Sequence, residues 1–164
     1  MVTDSGSRRD MKDQFRCVML TLSGRRLDPE QITRILGIRP DSSCRRGDRF
    51  GKNKKAVQGY WAIEGRPARS RLDTQARSIL RRIEPVKREF RSLVEHRDVE
   101  LACVTFAVMP GERVAVAGYY LPEDVVAGFG ALGVGVEFSI HTPGHFKRAV
   151  ADALTRNTRQ RRSK

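Results

Sequence analysis

The side chains most capable of chemistry form a dense basic segment within the predicted loop 41–56. Residues 44–55 read CRRGDRFGKNKK, in which the single carboxylate of Asp48 stands among six cations. The cations are Arg45, Arg46, Arg49, Lys52, Lys54 and Lys55. Because each Lys or Arg that neutralises a phosphate also releases a counterion, such a segment is suited to a polyanion. The alternative is a solvated loop that binds nothing.

Two further basic elements follow along the chain. On a predicted helix over 72–95, Arg77, Arg81 and Arg88 have spacings of four and seven and should share one exposed side. The tail from 147 to 164 is also basic. The chain carries +13 in total and an acidic stretch over 98–146, so its charge is polarised. This asymmetry predicts a polyanion or an acidic protein as partner.

Nucleophiles and metal ligands are sparse. Cys44 lies in the basic segment, where Arg45 and Arg46 should favour its thiolate, but no base is placed beside it in sequence. His141 and His145 are separated by Thr-Pro-Gly, which predicts a turn rather than a helical metal-binding pair. We therefore predict no catalytic residue, no metal and no cofactor, although an enzyme with a site assembled from scattered residues stays open.

Length and cysteine content narrow the class of protein. The 164 residues are enough for one domain, and the three separate cysteines disfavour a disulfide framework or a Cys-only zinc site. Neither a secretion signal nor an apolar run of membrane-spanning length is visible. We predict a cytoplasmic protein with a disordered segment 1–13, a single domain 14–145 and a flexible basic tail 146–164.

Hydrophobic periodicity predicts the elements that position these groups. Residues 15–22 suit a buried strand, and LDPEQITRILGI suits a short helix that Asp28 caps and that Gly37 and Pro40 end. Residues 57–64 alternate as a strand that buries Trp61, whose indole N–H is expected to reach a backbone carbonyl of the neighbouring loop. Pro85 should kink or split the helix 72–95.

The remaining pattern completes a two-layer α+β domain. Residues 99–109 and 113–121 flank Pro110-Gly111 and predict a β-hairpin, followed by a helix opened by Pro122 and a last strand over 135–141. The order β-α-β-α-β-β-α-β predicts a two-layer sandwich, in which a mostly antiparallel five-stranded sheet carries the helices on one face.

These elements resemble a known family. The run LDPEQITRILGIRPD, then Gly47-Asp48, then Gly59-Tyr60-Trp61, resembles the bacterial domain-of-unknown-function family 4279. The resemblance covers about residues 13–141 and implies a fold but no reaction. It also leads us to expect an acidic residue in the last strand, where this chain has Ser139. Within the motif, Gly47-Asp48 is predicted to be a structural turn flanked by the contacting Arg and Lys.

Residues and resemblance together predict a small non-enzymatic binding module. Its basic surface is suited to nucleic acid or another polyanion. Sequence-specific readout is not expected, because zinc-ligand pairs, an aromatic RNA-binding signature and a basic region leading into heptads are all missing. The alternative is an interaction or inhibitory module, of an immunity or defence type, that binds an acidic protein.

Overall fold

The computed structural model describes residues 15–50, 54–68, 70–109 and 120–140. Its elements, in chain order, are β1 (Phe15–Gly24), α1 (Pro29–Leu36), β2 (Ser42–Cys44), β3 (Arg49–Phe50), β4 (Lys54–Lys55), β5 (Gly59–Glu64), α2 (Leu72–Ile83), α3 (Lys87–Val94), β6 (Leu101–Met109), α4 (Glu123–Leu132) and β7 (Gly135–Ile140). The predicted segments 1–13 and 146–164, and both His141 and His145, lie outside the described residues.

One five-stranded sheet organises the described part of the chain. Its order is β2-β5-β1-β6-β7, and every neighbouring pair is antiparallel except β6 and β7, which run parallel. Alternate residues of β1, such as Leu20 and Leu22, are fully buried and share a core with Ile79 of α2 and Phe129 of α4. The predicted α+β class, with a mostly antiparallel sheet and helices packed on it, is confirmed.

The sheet has five strands, as predicted, but one of the five is β2 rather than the predicted strand 113–121. The short edge strand β2 lies in the stretch that was expected to be a loop, because antiparallel pairing with β5 recruits it into the sheet. Most of the predicted strand 113–121 falls outside the described residues. Over 103–108, both edges of β6 are occupied, one by β1 and the other by β7.

Local signals set the ends of α1, as predicted. Asp28 caps the helix, since its Oδ1 accepts a hydrogen bond from the backbone N–H of Glu30 at 3.1 Å. At the other end Gly37 has φ of 63°, the left-handed conformation that glycine adopts without steric cost, and its N–H reaches the Thr33 carbonyl at 2.8 Å. The helix therefore stops before Pro40, and the chain can enter β2.

Pro85 splits the long helix, as predicted. The turn Glu84–Val86 is 3₁₀-helical and separates α2 from α3. Proline has no N–H to donate and its ring obstructs the preceding turn, so a continuous α-helix is costly at this point. The split gives α2 and α3 separate roles, because α2 packs against β1 whereas α3 packs against α1.

The buried side chain of Gln75 completes the hydrogen bonding of β1 beyond the end of β5. Its Oε1 accepts from the Val18 N–H at 3.0 Å, and its Nε2 donates to the carbonyls of Arg16 at 3.2 Å and Ser70 at 3.0 Å. Gln75 is 1% exposed. It takes the place that a longer β5 would have filled along this edge of β1.

Candidate polyanion-binding hairpin

The basic segment folds into a small hairpin of its own. The strands β3 and β4 pair antiparallel and form a sheet separate from the main one. At the base of this hairpin the Gly47 N–H donates to the Ala56 carbonyl at 2.8 Å, and the Ala56 N–H donates to the Asp48 carbonyl at 2.8 Å. These two bonds close the base of the hairpin, which lies between β2 and β5 in the chain.

Gly47 and Asp48 shape the turn that enters the hairpin. Gly47 has φ of 91°, a conformation that residues with a Cβ rarely adopt. The Asp48 Oδ2 accepts a hydrogen bond from the backbone N–H of Arg45 at 2.7 Å, and the Asp48 N–H donates to the Arg45 carbonyl at 3.1 Å. The single carboxylate of the segment is thus turned toward the backbone, where it closes the turn.

The cations of the segment are not equivalent. Arg45 folds back on α1, where its Nη2 lies 2.7 Å from Glu30 Oε2 and its Nε lies 3.6 Å from Asp28 Oδ1. Four other cations are exposed, and none of them has a carboxylate within 4.0 Å among the residues that the structure describes. These are Arg46, Arg49, Lys54 and Lys55. Lys52 lies outside the described residues. The free positive charge of the described part of this segment therefore lies on the hairpin and in its entry turn.

Two of the free cations face each other across the hairpin. Arg49 is the register partner of Lys55, so both side chains point to the same face. Like charges directly opposite each other in an antiparallel pair repel and destabilise it. An anion held between the two side chains would remove that repulsion, so the pairing favours an anionic ligand on this face.

The helical arginines that were predicted to extend the basic surface also include one that is paired with carboxylates and two that are exposed. Arg77 makes a two-pronged contact with Asp124 of α4, Nε to Oδ2 at 2.9 Å and Nη2 to Oδ1 at 3.1 Å, and its Nη1 lies 3.0 Å from Asp73 Oδ2. The contact with Asp124 raises the pKa of Arg77 and lowers that of Asp124. Arg81 and Arg88 are exposed. Two carboxylates thus already neutralise Arg77.

Asp41 anchors the beginning of β2 and was missed in the sequence. Its carboxylate accepts hydrogen bonds from the Glu64 N–H at 2.8 Å, from Arg82 Nη1 at 3.0 Å and from Arg66 Nη2. Burial alone would raise the pKa of Asp41, but these donors outweigh it and hold that pKa below its usual value. These contacts of Asp41 connect the start of β2 to the end of β5 and to α2. They therefore hold β2, the strand that leads into the hairpin, in place.

Trp61 anchors β5 on α1, but through a different partner from the one predicted. It is fully buried, and its Nε1 donates to Thr33 Oγ1 at 3.1 Å, whereas we expected a backbone carbonyl. The Thr33 hydroxyl in turn donates to the Pro29 carbonyl at 2.9 Å. A Cβ at Gly59 would overlap the Leu27 carbonyl oxygen, so the Gly-Tyr-Trp motif serves close packing of β5 against the start of α1.

The surroundings of the three cysteines raise the pKa of each thiol. The sequence led us to expect that Arg45 and Arg46 would favour a thiolate at Cys44, yet burial, followed by the charge of Asp48, raises the pKa of Cys44. Burial also raises the pKa of Cys17, to about 11, and that of Cys103. All three thiols are free. The expectation for Cys44 was wrong because partial burial of the thiol outweighs its cationic sequence neighbours.

Comparison with known protein families gives a match over most of the chain. The family model described as "Domain of unknown function (DUF4279)" matches residues 13–143. No curated protein and no solved structure matches the chain. Among the described residues, no helix is both long enough and apolar enough to cross a membrane.

Proposed function

This chain belongs to the DUF4279 family, and we propose that it is a non-enzymatic binding module whose hairpin β3–β4 engages a polyanion, with nucleic acid as the preferred ligand. The observation that carries the proposal is the facing pair Arg49 and Lys55, flanked by the exposed Lys54 and Arg46. Other cations of the same fold, Arg45 and Arg77 among them, are already paired with carboxylates.

The proposed binding is electrostatic and independent of base sequence. The hairpin presents Lys and Arg side chains and no helix that could enter a groove of the nucleic acid. Its contacts therefore go to phosphates rather than to base edges. Such binding has dissociation constants on the order of 10⁻⁴ to 10⁻⁶ M at physiological salt and weakens steeply as salt rises. The three free thiols agree with a reducing compartment, which supports a cytoplasmic location.

Fluorescence anisotropy with a labelled 20-nucleotide single strand, and with the matching duplex, tests the proposal. The hairpin variant R49E/K54E/K55E should bind both probes roughly tenfold more weakly, or worse, than the unmodified chain. Because residues 49 and 55 still carry like charges in this variant, its hairpin keeps the same internal repulsion. A change in hairpin stability is therefore not the expected cause of weaker binding.

The matched control is R25E/R91E/R97E, which reverses three exposed arginines outside the hairpin and lowers the chain's +13 charge by the same amount. It should retain most of the affinity. Equal loss in both variants would mean that total charge, and not the hairpin, attracts the probe. Displacement of the oligonucleotide by poly-glutamate at equal charge concentration would instead favour the acidic-protein alternative.

A further inference from the structure

β2 is an edge strand that carries polar residues. It pairs with β5 on one side, and no strand pairs with its other side in the ranges that the structure describes. Ser43 is exposed, and Ser42 and Cys44 are half-buried. An edge strand presents backbone N–H and C=O groups that an extended segment of another chain can pair with.

A groove lies between Ser43 of β2 and the residues of α1. Its volume is ≈ 380 Å³ and it is open to solvent. The lining residues are Pro29, Glu30, Thr33, Arg34, Pro40 and Ser43. A strand added beside β2 would place every second side chain over this groove, since side chains alternate between the two faces of a sheet.

The free charges around the groove are positive. Arg34 of α1 lines it, and Arg39 lies three residues before β2; both are exposed. Neither guanidinium has a carboxylate within 4.0 Å in the described portion of the chain. The only acid in the lining is Glu30, and Arg45 already pairs with it at 2.7 Å. Arg34, which lines the groove, and Arg39, next to the lining residue Pro40, are therefore free to pair with acidic groups of a ligand.

We propose that β2 and the adjoining groove bind an extended acidic segment of a partner protein, which adds to the sheet as a sixth strand. Backbone hydrogen bonds to β2 supply affinity, and alternate carboxylates over the groove pair with Arg34 and Arg39. The site is separate from the hairpin in residues and in ligand chemistry. It does not depend on polyanion binding by the hairpin.

A soluble heptapeptide of alternating Glu and Val, capped at both ends, is a suitable probe. We expect it to bind the unmodified chain in isothermal titration calorimetry at low salt. Two N-methylated forms, one methylated at each Glu and one at each Val, keep every charge but each lacks one alternate set of N–H donors. At least one of the two should bind roughly tenfold more weakly or worse.

Variants locate the site and separate it from the hairpin. R34E/R39E should lose the heptapeptide and keep oligonucleotide binding, whereas R49E/K54E/K55E should show the reverse. The control R81E/R97E, which reverses two exposed arginines elsewhere, should bind the heptapeptide normally. The proposal is overturned if the heptapeptide does not bind, if neither methylated form is weakened, or if R34E/R39E binds as well as the control.

Discussion

Gln75 should contribute more to stability than any other polar side chain in the described core. The substitution Gln75→Met keeps the length of the side chain and removes all of its hydrogen bonds. It leaves the buried N–H of Val18 without an acceptor, and the carbonyls of Arg16 and Ser70 without this donor. The site is 1% exposed, so water has little access to replace these bonds.

The expected cost of Gln75→Met is about 2–4 kcal/mol in the free energy of unfolding. A buried donor left unpaired costs about 1–3 kcal/mol, and the two carbonyls add less because they lie nearer the surface. Urea unfolding followed by the fluorescence of Trp61, the only tryptophan, measures the difference. The control Gln31→Met changes an exposed glutamine of α1 and should stay within about 0.5 kcal/mol of the unmodified chain.

A second substitution at the same position tests the hydrogen-bond account separately from packing. Gln75→Glu keeps an acceptor for Val18 but turns a carboxylate toward the two carbonyls. Burial should raise the pKa of this carboxyl above about 4.3, so its ionisation destabilises the fold as pH rises through that range. The gap to the unmodified chain should therefore narrow from pH 7 to pH 4.5. Two results would refute the reasoning. One is a free energy of unfolding for Gln75→Met within about 0.5 kcal/mol of the unmodified chain at pH 7. The other is a difference between Gln75→Glu and the unmodified chain that does not narrow as pH falls.

The Trp61–Thr33 hydrogen bond, which holds β5, and the contacts of Asp41, which hold β2, give further predictions. Thr33→Val removes the acceptor of the Trp61 indole and should cost about 1–2 kcal/mol in the free energy of unfolding, measured by the same urea assay. The control Thr74→Val on α2 should cost less. Equal costs would contradict a role for the Thr33 hydroxyl. Asp41→Asn should be less stable than the unmodified chain at pH 7. Since the folded pKa of Asp41 is lowered, its contribution is present above about pH 4 and is lost as pH falls further. The difference in stability between the two chains should therefore shrink as pH falls below about 4, and a constant difference would argue against these contacts of Asp41.

The parts of the fold that were predictable depend on signals close together in sequence. The ends of α1 follow from Asp28 and Gly37, and the break between α2 and α3 follows from Pro85. The edge strand β2 has only three residues and no alternation of its own, so only pairing with β5 makes it a strand. Gln75 had no signal either, because its two partners in β1 lie 57 and 59 residues away in the chain.

The candidate site shows the same limit. The density of cations over 44–55 was visible in the sequence, but which of them are free depends on distant carboxylates. Arg77 lies 47 residues from Asp124, and the helical spacing alone placed it on the basic surface. Arg45 is expected to contact the ligand, and no signal in the sequence indicated that its guanidinium also pairs with Glu30 of α1. Sequence spacing predicts which face a cation occupies and not whether it is already neutralised.

The salt dependence of oligonucleotide binding tests the central claim most directly. The hairpin account predicts that the slope of the logarithm of the binding constant against the logarithm of salt concentration is shallower by about 2–3 in R49E/K54E/K55E, because each lost phosphate contact removes about 0.7–0.9 from the slope. The control R25E/R91E/R97E should change the slope by less than about one. Equal changes in the two variants, or an unchanged slope in the hairpin variant, would contradict the claim that the hairpin holds the polyanion.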